Sequence, residues 1–255
     1  MPDRIALVVV ALVGAAVGSF LNVCIVRLPA RRSVVHPRSQ CPHCERQLRW
    51  YENLPVVSWI ALGARCAGCR RRISLLYPLV EVGTAITFVI AWRTFGATPL
   101  LAARLVFLSA LIVLAVTDVR ERLLPNAITL PAIVAGMAFS LIAPPNFVGA
   151  LLGVVLGGLV PFVVGEAYYR LRGVEGLGMG DVKMLAMIGA FLGAPLAMLT
   201  LFAASFLGVI VGVPLIILTR NRHYPVPLGT LLAASAFAAT FLGQPIIDWY
   251  THLYW

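Results

Sequence analysis

Two aspartates and four cysteines are the residues of this chain whose types and spacing could do chemistry. Asp118 lies in the stretch TDVRERLLPN, and Asp181 follows alternating glycines in GLGMGDVK, residues 176–183. Each stretch adjoins a long apolar run, so both carboxylates are expected at the edge of a membrane. An acid at that depth is costly to ionise, which makes it a candidate for function.

The two aspartates could form a catalytic pair. Two carboxylates that meet can share one proton, because like charges a few ångström apart cannot both ionise. One could then activate water while the other donates a proton to the scissile carbonyl or its leaving amine, without a metal. Gly176, Gly178 and Gly180 are expected to let a peptide come close, because glycine permits backbone conformations closed to other residues.

The same aspartates also have structural interpretations. Asp118 could pair with Arg120 or Arg122 at the end of a helix. Asp181 could be the N-cap of the helix that it opens, where aspartate is favoured. Other acids near the same face are Glu81, Glu121, Glu166 and Glu175. Among these, Glu81 could contribute to the site, whereas Glu121 and Glu175 are expected to be solvated.

The cysteines form two C-x2-C knuckles, CPHC at 41–44 and CAGC at 66–69, separated by 21 residues. This pattern predicts a four-cysteine zinc site. Four thiolates leave no open position for water, so the metal would be structural and would supply folding energy to a segment with little core. Two disulfides or unpaired thiols are the alternatives, and a cytoplasmic location argues against disulfides. The predicted ligands are Cys41, Cys44, Cys66 and Cys69.

Other residues in and near this segment are given structural roles. His43 lies between two predicted ligands and is not expected to bind the metal, and Cys24 is expected to be a packing residue in an apolar helix. Trp50, Tyr51 and Trp59 lie near arginines, which could indicate nucleic-acid binding. They fit better as interfacial anchors next to lipid, so no nucleic-acid partner is predicted.

The composition predicts an all-α polytopic membrane protein. The chain has 255 residues, of which 60% are hydrophobic and 12% charged, and its mean hydropathy is +0.93. A soluble domain of this length does not need so much apolar surface. We predict about eight transmembrane helices and three parts: a first helix at 1–26, a cytoplasmic zinc-binding segment at 27–76 and a membrane domain at 77–255. The apolar segments fall at 5–26, 77–93, 100–117, 127–143, 147–169, 182–194, 198–219 and 228–247.

The net charge of +10 predicts the orientation in the bilayer. If 27–76 is cytoplasmic and the chain then alternates, only Arg4, Arg93 and Arg104 lie outside or in the outer half. The cytoplasmic side then holds 17 of the 20 basic residues, as the positive-inside rule favours. Both chain ends are then outside, and both aspartates lie at the cytoplasmic edge.

Along most of its length the sequence resembles the type IV prepilin peptidases of the bacterial inner membrane. The resemblance rests on the order of four stretches: GSFLNVCIVRLP at 18–29, the region from CPHC to YPLVE at 41–81, TDVRERLLPN at 117–126 and GMGDVK at 178–183. It departs near the C-terminus, where this chain has VPLGTLLA at 226–233 and the family often has a P-F-G-P-like run.

The resemblance implies an aspartic endopeptidase of the G-x-G-D type, with Asp118 and Asp181 as its catalytic residues. It implies prepilins and the pseudopilins of type II secretion as substrates, cleaved after a glycine that ends a short basic leader. Relatives with the cysteine segment also methylate the new N-terminal amine with S-adenosylmethionine. The sequence shows no Rossmann-type motif, so the site for this cofactor is not predicted.

Two other functions compete at the level of sequence. A proton-coupled transporter would use buried acids as a relay, but its acids belong near the middle of helices, and these lie at helix ends. A membrane anchor without enzymatic activity would need the cysteines and could lose both aspartates.

Overall fold

The computed structural model describes residues 2–173, 177–219 and 227–254, and these fold as helices joined by short loops. Predictions that concern Glu175, Gly176, Arg220 and Arg222 lie outside the described residues. The chain divides into two compact units, unit 1 over Met1–Ala97 and unit 2 over Thr98–Trp255.

Unit 1 consists of two long helices and the cysteine segment between them. The long helices are α1 (Pro2–Arg27) and α3 (Leu76–Phe95). The segment between them holds a 3₁₀ turn at Trp50–Asn53 and the short helix α2 (Val57–Ala61). It has little regular structure otherwise, so other interactions must hold it together.

Glycines let α1 and α3 pack closely. Gly14 and Gly18 lie one turn apart on the face of α1 that meets α3. A Cβ atom added at Gly18 would lie 2.7 Å from the Cα of Glu81, and one at Gly14 would lie 2.8 Å from the Cα of Ala85. Small residues spaced by four are a common way for membrane helices to bring their backbones together.

Unit 2 is a bundle built around one short central helix. α7 packs against all five of its neighbours, and its residues Val182 and Met184–Leu192 are buried. A helix that is apolar on all sides belongs in the middle of a bundle. The six helices are α4 (Pro99–Glu121), α5 (Asn126–Phe139), α6 (Phe147–Arg172), α7 (Met179–Leu192), α8 (Ala194–Thr219) and α9 (Leu228–Tyr254).

Both ends of α7 are fixed by contacts with its neighbours. Near its start, Lys183 Nζ donates a hydrogen bond to Asn126 Oδ1 of α5 at 3.1 Å. At its far end, the buried guanidinium of Arg104 in α4 donates to the carbonyl oxygen of Phe191 at 2.6 Å. Along its length, glycines of α6 and α7 bring the two backbones together, because a Cβ at Gly153 or Gly189 would run into the other residue's backbone.

The predicted all-α membrane fold is confirmed, and each of the eight apolar segments forms a helix among the described residues. In the described ranges, six helices are long and apolar enough to cross a bilayer, so the chain is a multi-pass membrane protein. The other two, α5 and α7, have 14 residues each. They are about 21 Å long, against a hydrocarbon core of about 30 Å. The functional division at 26 and 76 stays a prediction; α3 lies in the same compact unit as the cysteine segment.

Gly18→Ala tests the close packing of α1 on α3. The added Cβ would meet backbone atoms, which cannot move aside cheaply, so the free energy of unfolding should fall by about 1–3 kcal/mol. Gly83→Ala on α3 is the matched control, since a Cβ there meets nothing within 4 Å and alanine favours a helix. Thermal unfolding in detergent measures both. Equal stability of the two variants would contradict the packing.

Candidate active site and metal centre

Asp118 lies in the last turn of α4, where the start of α9 covers it. Its side chain is buried, and its Oδ2 accepts two hydrogen bonds from Thr230: 2.6 Å from the backbone N–H and 2.9 Å from the hydroxyl. A Cβ added at Gly229 would lie 3.0 Å from the Asp118 Cγ. The backbone of α9 therefore comes right up to this carboxylate.

Asp181 lies in the first turn of α7, at the same end of unit 2. It is half-buried. Leu124, just beyond the end of α4, lies between the surroundings of the two acids. A Cβ added at Gly180, next to Asp181, would lie 3.2 Å from the Cβ of Leu124, and a Cβ added at Gly229 would lie 3.0 Å from both Leu124 Cδ2 and Asp118 Cγ. The two aspartates that the sequence predicts as a pair therefore lie at the same end of unit 2.

The structural interpretations of these aspartates do not match the contacts. No ion pair joins Asp118 to Arg120 or Arg122 within the described residues; its carboxylate is hydrogen-bonded to Thr230 instead. The N-cap of α7 is Gly178, so Asp181 lies inside the helix and is not its cap. An ion pair therefore does not account for Asp118, and an N-cap does not account for Asp181, which still lies in the first turn of α7, where an acid is favoured.

Gly178 and Gly180, which lie beside Asp181, do not have the backbone conformations that are expected from the sequence. Gly178 has φ −71° and ψ 143°, which any residue can adopt, and Gly180 is helical. The expectation of backbone conformations closed to other residues is therefore wrong for both. At Gly180 the residue that comes close belongs to this chain, since a Cβ there would lie 3.2 Å from the Cβ of Leu124. Their role as an approach loop for substrate stays a prediction.

The remaining acids have other surroundings. Glu81 is buried in unit 1, where its Oε2 accepts the backbone N–H of Val56 at 2.7 Å. Val56 has φ 61°, so Glu81 holds a backbone conformation that a valine rarely adopts. Glu166 forms an exposed ion pair with Arg170 at 2.8 Å, and Glu121 is exposed as expected.

The four predicted metal ligands converge in unit 1. The Sγ atoms of Cys41, Cys44, Cys66 and Cys69 all lie within 4.8 Å of one another. The Cys41–Cys69 separation is 3.8 Å and the Cys44–Cys66 separation 4.0 Å, too long for disulfides. Sulfurs at 2.3 Å from a tetrahedral ion would be about 3.8 Å apart. The cluster therefore has the ligand set and the spacing of a metal site.

The two knuckles share one backbone arrangement. In the first, the Cys41 N–H donates to the carbonyl of Arg46 at 3.0 Å; in the second, the Cys66 N–H donates to that of Arg71 at 2.9 Å. Each knuckle turns through a left-handed residue after its second cysteine, Glu45 with φ 56° and Arg70 with φ 58°. Repeated hydrogen bonding of this kind presents two sulfurs from each knuckle to one point.

Charged groups support the cluster. Arg46 donates to both carboxylate oxygens of Glu52 at 2.8 and 2.9 Å, and this contact, with the Arg49 N–H, lowers the pKa of Glu52. Backbone N–H groups of Cys69 and Gly68 lower the pKa of the Cys66 thiol to about 6. A thiol that loses its proton easily is suited to bind a cation.

Comparison with known proteins decides the family. Residues 12–95 match the Bacterial Peptidase A24 N-terminal domain, and residues 105–213 match the Type IV leader peptidase family. A prepilin leader peptidase/N-methyltransferase of Aeromonas salmonicida is 36% identical over 262 residues, covering 92% of this chain and 90% of that protein. The chain belongs to the type IV leader peptidase family. The two matched regions fall within units 1 and 2 respectively.

Two further relatives carry the same name. The protein of Pseudomonas putida is 37% identical over 261 residues, with 91% of this chain and 89% of that protein covered. The protein of Myxococcus xanthus is 42% identical over 213 residues, which cover 83% of this chain but only 63% of the relative. No solved structure matches the chain.

Metal content tests the cysteine cluster. Cys41→Ser and Cys66→Ser should each lose the bound metal, because two or three remaining thiolates hold it far less tightly. Cys24→Ser is the matched control, since Cys24 is a cysteine of α1 outside the cluster. Mass spectrometry of the metals in purified protein measures the difference. Wild-type protein without stoichiometric metal, or Cys66→Ser protein that retains it, would contradict the assignment.

Proposed function

We propose that this chain is a membrane aspartic endopeptidase that removes the leader peptides of type IV prepilins and pseudopilins. The new N-terminal residue is then methylated by the same protein. The observation that carries the proposal is the pairing of Asp118 and Asp181 at one end of unit 2. The names of the relatives, which include both activities, support the substrate and the second reaction.

The aspartate pair provides acid–base catalysis of peptide hydrolysis. One carboxylate takes a proton from water, and the other donates one to the leaving amine. No residue other than these acids is needed to activate the water, so the proteolytic step uses no cofactor. Gly178 and Gly180 are the proposed approach loop; a Cβ at Gly178 would lie 3.3 Å from Asp181 Oδ2, so glycine leaves that side of the carboxylate open.

The proposed location is the bacterial inner membrane, with the active site facing the cytoplasm and both chain ends outside. The support is the distribution of basic residues, which favours a cytoplasmic position for the cysteine segment. A prepilin whose apolar segment lies in the bilayer would then present its leader junction at the level of the aspartates. The basic leader itself would stay in the cytoplasm.

Zinc is the proposed metal of the four-cysteine cluster, with a structural role. Zinc prefers four thiolates in tetrahedral geometry, and the sulfur spacings fit that geometry. Because the cysteine segment has little regular structure, metal binding would contribute much of its folding energy. The cluster thus stabilises the part of unit 1 that the methylation requires.

A cavity in unit 1 is the proposed site for S-adenosylmethionine, which supplies the methyl group. The cavity has a volume of about 480 Å³ and is lined by the C-terminal half of α1 and by the cysteine segment. Arg38 and Arg49 could bind a carboxylate there, and the indole of Trp50 could stack on an adenine ring. Arg27, also in the lining, is held in place because it donates to the carbonyls of Ser33 and Arg38.

Replacement of either aspartate tests the peptidase. Asp118→Asn and Asp181→Asn should each lower the rate of prepilin cleavage by about a thousandfold or more, because each removes one partner of acid–base catalysis. Asp248→Asn is the matched control, since Asp248 hydrogen-bonds Gln244 near the far end of α9. Purified protein in detergent is mixed with a prepilin, and the products are weighed by mass spectrometry.

The outcome separates the competing functions. Cleavage by both aspartate variants at the wild-type rate would show that the acids are structural and would favour the anchor. Transport by wild-type protein in liposomes that stops with Asp118→Asn, without any cleavage, would favour the transporter. A short treatment with chelator should leave cleavage unchanged, since the proposed hydrolysis uses no metal.

Direct binding tests the proposed cofactor cavity. Arg38→Gln should weaken S-adenosylmethionine binding about tenfold, the effect of one charge-assisted hydrogen bond. Arg32→Gln is the matched control, because Arg32 is an exposed arginine of the same segment that does not line the cavity. Equilibrium dialysis measures the affinities, and leader cleavage confirms that both variants fold. Equal affinities would place the cofactor elsewhere.

A further inference from the structure

Thr230 contacts only one of the two aspartates. Its backbone N–H and its hydroxyl both lie against Oδ2 of Asp118, at 2.6 and 2.9 Å. The carboxylate of Asp181 accepts a hydrogen bond from the backbone N–H of Gly178, and no side chain donates to it among the described residues. The pair is therefore asymmetric before any substrate binds.

From this asymmetry we infer that Thr230 is a positioning residue that fixes the proton on Asp181 and the negative charge on Asp118. Asp118 is then the general base and Asp181 the general acid. The inference rests on the proposed peptidase function, and it assigns the two roles that a symmetric pair would leave interchangeable.

The backbone N–H of Thr230 constrains the protonation of Asp118 more strictly than the hydroxyl does. A backbone N–H can only donate, so the oxygen 2.6 Å away must act as an acceptor and cannot direct a proton at it. A proton on Asp118 would therefore have to be on Oδ1. Hydrogen bonds donated to a carboxylate favour its charged form.

The hydroxyl of Thr230 has two acceptors within reach, and the charged one is nearer. It lies 2.9 Å from Asp118 Oδ2 and 3.3 Å from the carbonyl oxygen of Ala115. Its single proton goes to the shorter, charge-assisted contact when Asp118 is ionised. Two donors then converge on the same oxygen, and Oδ1 is left for water, because no hydrogen bond among the described residues uses it.

The charged side chains at this end of unit 2 do not offset the difference in hydrogen bonding between Asp118 and Asp181. Lys183 of α7 donates to Asn126 of α5, and no ion pair joins it to either aspartate within the described residues. Arg120, Glu121 and Arg122 end α4 and are exposed, so solvent screens them. The start of α9 contributes Gly229 and Thr230, neither of which is charged.

The assigned roles give a balanced hydrolysis. A proton of the attacking water moves to Asp118 Oδ1 as the water oxygen bonds to the scissile carbonyl carbon. The carbon–nitrogen bond breaks, and the Asp181 proton moves to the leaving nitrogen. Transfer of the proton from Asp118 to Asp181 then restores the starting state, with no other reactant required.

The pH dependence of leader cleavage tests the inference. Thr230→Val removes the hydroxyl donor, and Thr230→Pro removes both donors. Proline is tolerated in the first turn of a helix, where Thr230 lies. The pH of half-maximal activity on the acid side should rise by about one unit for each hydrogen bond lost. Thr230→Ser keeps both donors and should match wild type.

A uniform fall in rate with an unchanged profile for Thr230→Val and Thr230→Pro would show a merely structural role and overturn the inference. A second measurement does not depend on cleavage. The chain has only four aspartates, so isotope-labelled aspartate gives few carboxyl bands in the infrared spectrum. In Asp181→Asn protein, adding Thr230→Val should shift the carboxylate stretching band of Asp118, because one of the two donors to its Oδ2 is lost.

The two measurements distinguish failure of the role of Thr230 from failure of the proposed peptidase function. An unchanged carboxylate band would overturn the role of Thr230, whatever the enzyme cleaves. A shifted band without cleavage of any prepilin by wild-type protein would confirm that Thr230 holds the charged form of Asp118 and would instead overturn the proposed peptidase function.

Discussion

Two carboxylates held at one end of a bundle of apolar helices are the constraint on which the rest of unit 2 depends. Mutual repulsion and poor solvation both act against such a pair, and the simplest remedy would be a cation between the acids. Within the described residues no ion pair forms with either acid. Instead, the uncharged backbone N–H and hydroxyl of Thr230 donate hydrogen bonds to Asp118. A neutral donor stabilises charge without fixing it permanently, so one proton can still move between the acids during a reaction.

Bringing Asp181 to the same place requires α7 to lie in the centre of the bundle. A helix of 14 residues cannot cross a bilayer, but it can lie inside a ring of longer helices that supply its surroundings. Glycines of α6 and α7 allow the contact between those helices, and Arg104 fixes the far end of α7. Because the helix is held along its length, its first turn has a fixed position relative to the end of α4.

Hydropathy alone predicts the helices, because each apolar segment in a membrane must satisfy its own backbone hydrogen bonds and therefore becomes a helix. The metal cluster can also be predicted from the sequence, since each C-x2-C knuckle is a local structure. Asp118 and Asp181 come together because α7 packs inside the bundle. The spacing of the two residues along the sequence does not predict that packing. The sequence could propose their meeting only from the orientation of the helices and from the family resemblance.

Thr230 is 112 positions from Asp118, and threonine in an apolar helix carries no signal of its own. The one available clue was the departure of VPLGTLLA from the P-F-G-P-like run of the family. Proline at the fourth position of such a run has neither an N–H nor a hydroxyl, so it could supply neither hydrogen bond. The departure from the family run therefore gives Asp118 two hydrogen-bond donors. Departures from a family pattern are thus worth examining for contacts to the residues that the pattern preserves.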